Sequence, residues 1–350
     1  MKAIHKILGL TAAMSISLLS CDENDGLRKA DVTVSNPTTN SANFFFINAT
    51  TDGSSLDFFV NGVNQGTAAL GSGLTGGYKN VAITTPGLNN IANTSIRAKA
   101  TSGTIGGLLG ANDLLFRATN TGIGNLVAVP NARYTFIAVD ELDRPVPLRT
   151  FSLNTVTNAL AADITYYNRT TKAQISNDAY KALSAGEQAN FVSIGTVPAG
   201  TSDPGGIRYY AITDTYPTDA NIAAALSGNL SFVRFIHASP NAPGVFVRLV
   251  PTSTGSTVNL VTTSTTNVMA VANFNPSVGS RTNTVAFPTT GNVASKSYTV
   301  EVHTNATFTA LALSIPNVTF APGKIYTLVA RGLVGGTGTA ALGASVGQHN

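Results

Sequence analysis

The chain has 350 residues, a formal net charge of +4 at pH 7 and a charged fraction of 11%, well below the roughly 25% of average soluble proteins. Because its few basic residues form no stripe, nucleic acid is a poor partner. Hydrophobic residues make up 43% of the chain, which supports packed cores and excludes a disordered protein. A chain of this length favours two domains.

The N-terminus has the pattern of a secretory signal. Lys2 and Lys6 precede an uncharged apolar run over residues 7–19, which is shorter than the roughly 20 residues that span a bilayer. Ser20 and Cys21 follow the run directly. Cys21 is the single cysteine of the chain, so no internal disulfide can form. This pattern resembles the bacterial lipoprotein signal, which predicts a signal peptide over 1–20, cleavage between Ser20 and Cys21, and lipidation of Cys21. The alternative is an ordinary signal peptide with an incidental cysteine.

An acidic run over residues 22–25 follows the cysteine. It resembles the surface-export signal of lipoproteins in the Bacteroidetes group. The resemblance predicts a protein held in the outer membrane by its N-terminal lipid and exposed at the cell surface. A periplasm-facing position, with the acidic run as a solvated tether, is the alternative. The polar residues over 21–40 are typical of a flexible tether.

Beyond residue 40 the sequence predicts one short strand after another. Runs rich in aromatic and β-branched residues, bounded by Gly, Asn, Pro or Ser, are typical of strands. They lie at 44–47, 56–60, 133–139, 207–212 and 297–302. Asn61 and Gly62, placed between a strand and Val63, predict a two-residue hairpin turn. We therefore expect an all-β fold, and the frequent turns favour a β-sandwich over a barrel, which periodicity alone does not separate.

One segment, residues 176–190, has the spacing of a helix. Asn177 or Asp178 could cap it, and Gly186 weakens it. The helical positions would be Ala179, Tyr180, Leu183 and Gln188.

The chain repeats itself. Residues 45–50 (FFINAT) match 234–239 (RFIHAS) at an offset of 189, and 133–138 (RYTFIA) match 325–330 (IYTLVA) at an offset of 192. Two copies of one fold explain this, with chance alignment of apolar strands as the alternative. The repeat predicts two tandem immunoglobulin-like β-sandwiches. The first covers 41–217 with an insertion around 147–206, a linker covers 218–229, and the second covers 230–350. The segment from 147 to 230 could instead be a separate linker element.

Residues 234–243 (RFIHASPNAP) open the second copy. They resemble the opening signature of the bacterial family named domain of unknown function 4397, which has His followed by Ala-Ser-Pro-Asp-Ala-Pro. Asn241 departs from the family's Asp, and the first copy has Asn48 in place of the His. The resemblance implies exported immunoglobulin-like sandwiches and no catalytic activity. Its motif residues are Arg234, His237, Ser239, Pro240 and Pro243.

The sequence contains few residues that could form a catalytic or metal-binding site. His5 lies in the signal and His349 beside the C-terminus, so His237 and His303 remain as the histidines of the folded region, and neither has metal-ligand spacing. His237 and Ser239 lack the orienting acid and oxyanion hole of a catalytic pair, so we expect His237 to satisfy backbone groups of a turn, with ligand contact as the alternative. The acidic residues at 140–143 are expected to form a solvated turn. We predict no catalytic residue, metal or cofactor.

Two classes of function remain. The first is a surface binding or adhesion module, whose partner would be an extracellular glycan or protein. The second is a structural or accessory spacer of the envelope without a specific ligand, and an enzyme is not expected. If exposed, the pairs Tyr166-Tyr167 and Tyr209-Tyr210 would favour stacking on sugars, whereas the absence of Trp counts against it.

Overall fold

The computed structural model describes most of the chain between Ser41 and the C-terminus. The described residues are 41–53, 55–61, 63–83, 92–100, 125–141, 144, 152–153, 160–161, 164–168, 170–196, 207–239, 242–265 and 285–350. The predicted signal peptide with Ser20, the tether with Cys21, and Pro240 of the motif lie outside these residues.

The first part of the described chain contains thirteen strands and two short helices. The elements are β1 (Ser41–Asn48), β2 (Ser55–Val60), β3 (Val63–Ala69), β4 (Lys79–Ala82), β5 (Ala92–Ala100), β6 (Asn125–Ala128), β7 (Arg133–Val139), β8 (Ser152–Leu153), β9 (Leu160–Ala161), β10 (Ile164–Asn168), β11 (Gln174–Ser176), α1 (Asn177–Lys181), α2 (Ala185–Gln188), β12 (Phe191–Thr196) and β13 (Arg208–Asp214).

The second part begins with a helix and continues with eight strands. The elements are α3 (Asp219–Ser227), β14 (Leu230–His237), β15 (Val245–Pro251), β16 (Val258–Thr265), β17 (Val293–Ala294), β18 (Ser297–His303), β19 (Leu311–Thr319), β20 (Ile325–Arg331), a 3-10 turn (Gly338–Ala340) and β21 (Gly343–Gln348).

Each copy of the repeat forms two four-stranded sheets. In the first copy the orders are β13-β7-β1-β4 and β3-β2-β5-β6, and in the second they are β17-β14-β20-β21 and β16-β15-β18-β19. Apolar side chains from both sheets of a copy share a core, as the rings of Phe46 on β1 and Phe58 on β2 do at 4.8 Å. The prediction of an all-β sandwich fold is therefore confirmed.

The repeat is visible in the strand register. β1 pairs in parallel with β7, with Asn43 opposite Arg133, and β14 pairs in parallel with β20, with Phe232 opposite Ile325. These pairs are related by the same offsets, 189 and 192, that relate the two sequences. β13 and β21 then occupy the same edge, each antiparallel to its neighbour. Residues 207–212, predicted as a strand returning to the edge of the first sandwich, lie there.

The sheets β13-β7-β1-β4 and β17-β14-β20-β21, which we call the inner sheets, pack against each other. Ile236 and Val329 of the second copy belong to the apolar core of the first. Phe45 and Ile47 occupy the space beside Gly347 that a side chain would fill. A Cβ at Gly347 would lie 2.8 Å from atoms of both. β1 is thus covered on both faces, which explains its uninterrupted run of apolar residues. The division into two domains at 218–229 stays a prediction.

A buried ion pair lies between the inner sheets. The Arg234 guanidinium donates through Nη1 to Asp214 at 2.7 Å, and both side chains are almost fully buried. Its Nε donates to Thr327 at 2.8 Å, and Nη2 donates to Thr135 at 3.3 Å. The hydroxyls of Tyr78 and Thr135 each donate to the second oxygen of Asp214 at 2.5 Å. This group, which we call the interface network, joins β13 and β7 of the first copy to β14 and β20 of the second.

The network extends to His349, which sequence analysis wrongly placed outside the folded region. His349 Nε2 lies 2.7 Å from the Thr327 hydroxyl, and its ring packs at 4.3 Å from Phe45 and 4.9 Å from Phe287. Burial and the positive charge of Arg234 hold the pKa of His349 well below its usual range, so the imidazole is neutral. A position one residue from the C-terminus therefore belongs to the core of the interface.

The helical segments differ from the prediction in detail. The segment at 176–190 forms two one-turn helices instead of one, and Ser176 caps the first by accepting from Ala179 N. Neither Asn177 nor Asp178 is the cap. Helix α3, which the sequence analysis did not predict, fills the predicted linker and is capped by Thr218. Among the residues that the structure describes, no helix has the length and apolar character to cross a membrane.

Removing the charge of Arg234 tests the importance of the interface network. We expect Arg234→Met to lower the free energy of unfolding by about 3–5 kcal/mol, because it leaves a buried carboxylate without its counter-charge. Arg248→Met is the matched control. Arg248 pairs with Glu301 at 2.6 Å, but their side chains are 32% and 19% exposed, and we expect a loss of about 1 kcal/mol or less. Urea unfolding measures both, and equal losses would contradict a special role for the network.

Candidate functional site

The motif at the end of β14 forms a turn held by His237. This side chain is fully buried, and its Nε2 lies 2.9 Å from the carbonyl oxygen of Pro243, to which it donates. Its Nδ1 accepts from the backbone N–H of Ser239 at 3.4 Å. Because one nitrogen donates and the other accepts, the geometry requires a neutral ring, and burial lowers the pKa of His237 accordingly. The ring therefore satisfies backbone groups of its own turn.

In the first copy, the side chain of Asn48 bonds backbone groups of the corresponding turn. Its Nδ2 donates to the carbonyl of Gly53 at 2.9 Å, and its Oδ1 accepts from the backbone N–H of Thr50 at 3.3 Å. The acceptor bonds are equivalent, since Thr50 corresponds to Ser239, whereas the donor bond of Asn48 ends one residue earlier in its turn than that of His237. Asn48 also donates to Ala68 of the facing sheet at 3.2 Å, which ties the first turn across its sandwich.

Ser239 ties the motif turn to the loop after β20. Its hydroxyl donates to the carbonyl of Gly332 at 2.7 Å. Gly332 has a φ of +78°, and a Cβ there would lie 2.1 Å from the carbonyl oxygen of Ala341, so the position requires glycine. Since the hydroxyl of Ser239 bonds a backbone carbonyl and both nitrogens of His237 are occupied, the two side chains do not form a nucleophile and its base.

A cavity of about 250 Å³ lies beside this turn, between the two sheets of the second sandwich. His237, Ser239 and Pro243 of the motif form one side of it. Its wall is almost entirely apolar and comes largely from aliphatic side chains, among them Val245, Val302, Leu313, Ala330, Val334 and Leu342. An apolar pocket of this kind, beside a polar turn, is the usual form of a small-ligand site. We therefore take this cavity as the candidate functional site.

The motif residues do not all meet at the cavity. Arg234 points to the opposite side of β14 from the sandwich core and belongs to the interface network. Pro240, Ser20 and Cys21 lie outside the described residues. The aliphatic wall was missed by sequence analysis, because its members come from four strands and the loops between strands, and their apolar residues look like ordinary core.

The acidic residues at 140–141 were wrongly expected to form a solvated turn. Asp140 is 5% exposed and Glu141 is 3% exposed. Arg144 lies 3.6 Å from the Asp140 carboxylate, and the hydroxyl of Tyr167 donates to Glu141. Lys172 also lies 3.3 Å from Glu141, so cations and a hydroxyl compensate these buried charges.

Two of the four tyrosines considered for sugar stacking are inside the protein, and the side chain of Tyr209 lies outside the described part of the structure. Tyr167 is 2% exposed and Tyr210 is 1% exposed, so neither offers a ring face to a sugar. Tyr166 is partly buried, and its ring stacks at 3.7 Å on that of Tyr180. Within the part of the chain that the structure describes, no three His, Cys, Asp or Glu side chains form a group that could hold a metal ion.

Comparison with known proteins adds no assignment. No protein-family model matches the chain, and no curated protein matches it. The similarity of residues 234–243 to a family signature therefore stands on those residues alone.

Two buried neutral histidines predict how stability depends on pH. Because burial lowers the pKa of His237 and His349, the unfolded chain binds these protons at a higher pH than the folded chain does. The free energy of unfolding should therefore be largest above about pH 6.5 and fall below it, by up to about 1.4 kcal/mol per pH unit for each histidine.

His237→Asn and His349→Phe should each make this dependence shallower in urea unfolding between pH 7 and pH 5. Asn is chosen because Asn48 bonds backbone groups of the corresponding turn, and Phe because three aromatic rings surround His349. An unchanged slope in both variants would contradict the assignment of neutral rings.

Proposed function

We propose that the chain is a lipid-anchored protein of the bacterial outer membrane, displayed at the cell surface, whose double sandwich is a binding module. The signal-like N-terminus ending at Cys21 supports the anchor, and the acidic residues after it support surface display. The similarity of residues 234–243 supports placing it with the domain of unknown function 4397 family.

The observation that carries the binding role is the apolar cavity beside the motif turn. Interiors of sandwiches are normally packed without voids that could accept more than a water molecule. A cavity of about 250 Å³ lined by the motif residues His237 and Ser239 is therefore better explained as a ligand site than as a packing defect. Both motif side chains shape the cavity, and their polar atoms are already bonded within the protein.

A structural spacer is the second candidate, and the packing of the inner sheets favours it. The interface network and the shared apolar core hold the two sandwiches together as one thick body. Such a body would hold other envelope components at a fixed distance without needing a ligand. Catalysis has no comparable support, because His237 and Ser239 use their polar atoms for backbone bonds.

Replacing Cys21 tests the anchor. We expect Cys21→Ala to leave the membrane fraction or to accumulate unprocessed, because alanine offers no thiol for lipidation. Ser20→Ala is the matched control, since it keeps a small residue before the cysteine and should be processed normally. Cell fractionation and intact mass of the mature chain measure both. A Cys21→Ala protein that is cleaved after Ser20 and still remains in the membrane fraction would defeat the anchor.

Binding is tested with the soluble fragment 27–350, which contains every described residue, on arrays of glycans, matrix proteins and envelope lipids. We expect at least one ligand whose binding weakens when Ala312, which lines the cavity, is replaced by Leu. Ala310→Leu, two residues away and outside the lining, should bind as the unmodified fragment does. Uniformly blank arrays would favour the spacer.

A further inference from the structure

We propose that the cavity beside the motif turn binds a saturated hydrocarbon chain, such as the acyl tail of a lipid, with the polar head left outside. This proposal rests on the proposed binding role and names the chemical class of its ligand.

The residues that line the cavity favour a hydrocarbon ligand. Val245 and Val302 come from the outer sheet, Ala330 comes from the inner sheet, and Leu342 comes from the loop before β21. Aside from the edge of His237, the lining residues that the structure describes include no aromatic ring on which a flat ligand could stack. A branched aliphatic wall packs well around a flexible methylene chain, and the gain comes from removing apolar surface from water.

The buried polar atoms at the wall are already bonded within the protein. His237 uses both ring nitrogens within the turn, and the Ser239 hydroxyl bonds Gly332. Thr304, the other polar side chain among the lining residues, is exposed to solvent. A polar head placed in the buried part of the cavity would therefore lose its water and gain no partner, which is costly. The head must stay at the mouth, and only the tail can enter.

The size and enclosure fit a chain of several methylenes. The volume of about 250 Å³ exceeds that of an apolar cavity of roughly 150 Å³ that stays dry and accepts benzene. Water gains little in such a space, because it needs two or more polar partners to be held.

One exposed apolar side chain lies at the edge of the cavity. Five large hydrophobic side chains are markedly exposed in the described part of the chain, and one of them, Val334, lines the cavity. Because Val334 is 48% exposed, its side chain is in contact with both the cavity and solvent. It offers an apolar edge over which a hydrocarbon tail can enter.

The test is a chain-length series. Saturated alkanoates from hexanoate to hexadecanoate, below their micelle concentrations, are titrated calorimetrically into the fragment 27–350. We expect the dissociation constant to fall about fourfold for each added methylene until the cavity is full and then to level off. The matching n-alkanols should level off at the same chain length, because the head does not enter.

Variants locate the binding. Ala312→Leu should weaken binding of the longest chains at least tenfold and shorten the length at which affinity levels off, whereas Ala310→Leu should change neither. Val334→Trp, at a partly exposed position of the mouth, is a second variant that leaves the core intact. Thermal unfolding shows that each variant is folded before its binding is compared.

The outcomes separate this inference from the proposed function. Absence of alkanoate binding, equal binding by Ala312→Leu and Ala310→Leu, or affinity that rises without levelling off would each overturn the hydrocarbon site. If an array ligand is lost in Ala312→Leu while no alkanoate binds, the binding role stands and the hydrocarbon assignment fails. If alkanoates bind as described while the glycan and protein arrays are blank, the binding role stands with hydrocarbon as its ligand, and recognition of a glycan or protein fails.

Discussion

A guanidinium buried between two β-sheets is the constraint on which the architecture depends. Arg234 can lie there only because Asp214 neutralises it and two threonine hydroxyls and a backbone carbonyl accept its remaining bonds. These partners come from both copies of the repeat, so the ion pair forms only when the inner sheets are correctly placed. A sliding of one sheet on the other would leave a buried charge unpaired, whereas the apolar contacts around it would tolerate small shifts. The pair therefore specifies one arrangement of the two sandwiches.

The two copies of the repeat place different residues at equivalent positions of the interface. Thr135 and Thr327 occupy equivalent positions, as their offset of 192 indicates, and each bonds the residue at the end of the neighbouring edge strand. That residue is Asp214 in the first copy and His349 in the second. Across from them, Arg234 corresponds to Phe45. Asp214 therefore meets Arg234 of the second copy, which gives an ion pair. His349 meets Phe45 of the first copy, which gives a contact between a neutral imidazole and a phenyl ring.

Much of the fold could be predicted from sequence because its signals are local. Runs of aromatic and β-branched residues mark β1, β7 and β18, and the hairpin at Asn61, which has a φ of +51°, joins Val60 directly to Val63. The network could not be predicted in this way, since Arg234 and Thr135 are 99 residues apart and no pattern relates them. Asp140 and Glu141 were misjudged for the same reason, because Tyr167, whose hydroxyl bonds Glu141, is 26 residues away along the chain. The cavity could not be predicted from sequence, because the aliphatic residues that line it are of the same types as those that fill an ordinary core.

The parallel pairing of β1 has a mechanical consequence. β1 is the first strand of the described part of the chain, and it pairs with β7 over six residue pairs and with β4 over four. A force applied at Ser41 along β1 would act along the strand, so all of these backbone hydrogen bonds would share it and none could open first. The C-terminal strand adds a further attachment, since Ser345 donates to the carbonyl of Asn48 at 2.9 Å. A pull on Ser41 would therefore act on a strand that is bonded to three others and covered by both sandwiches.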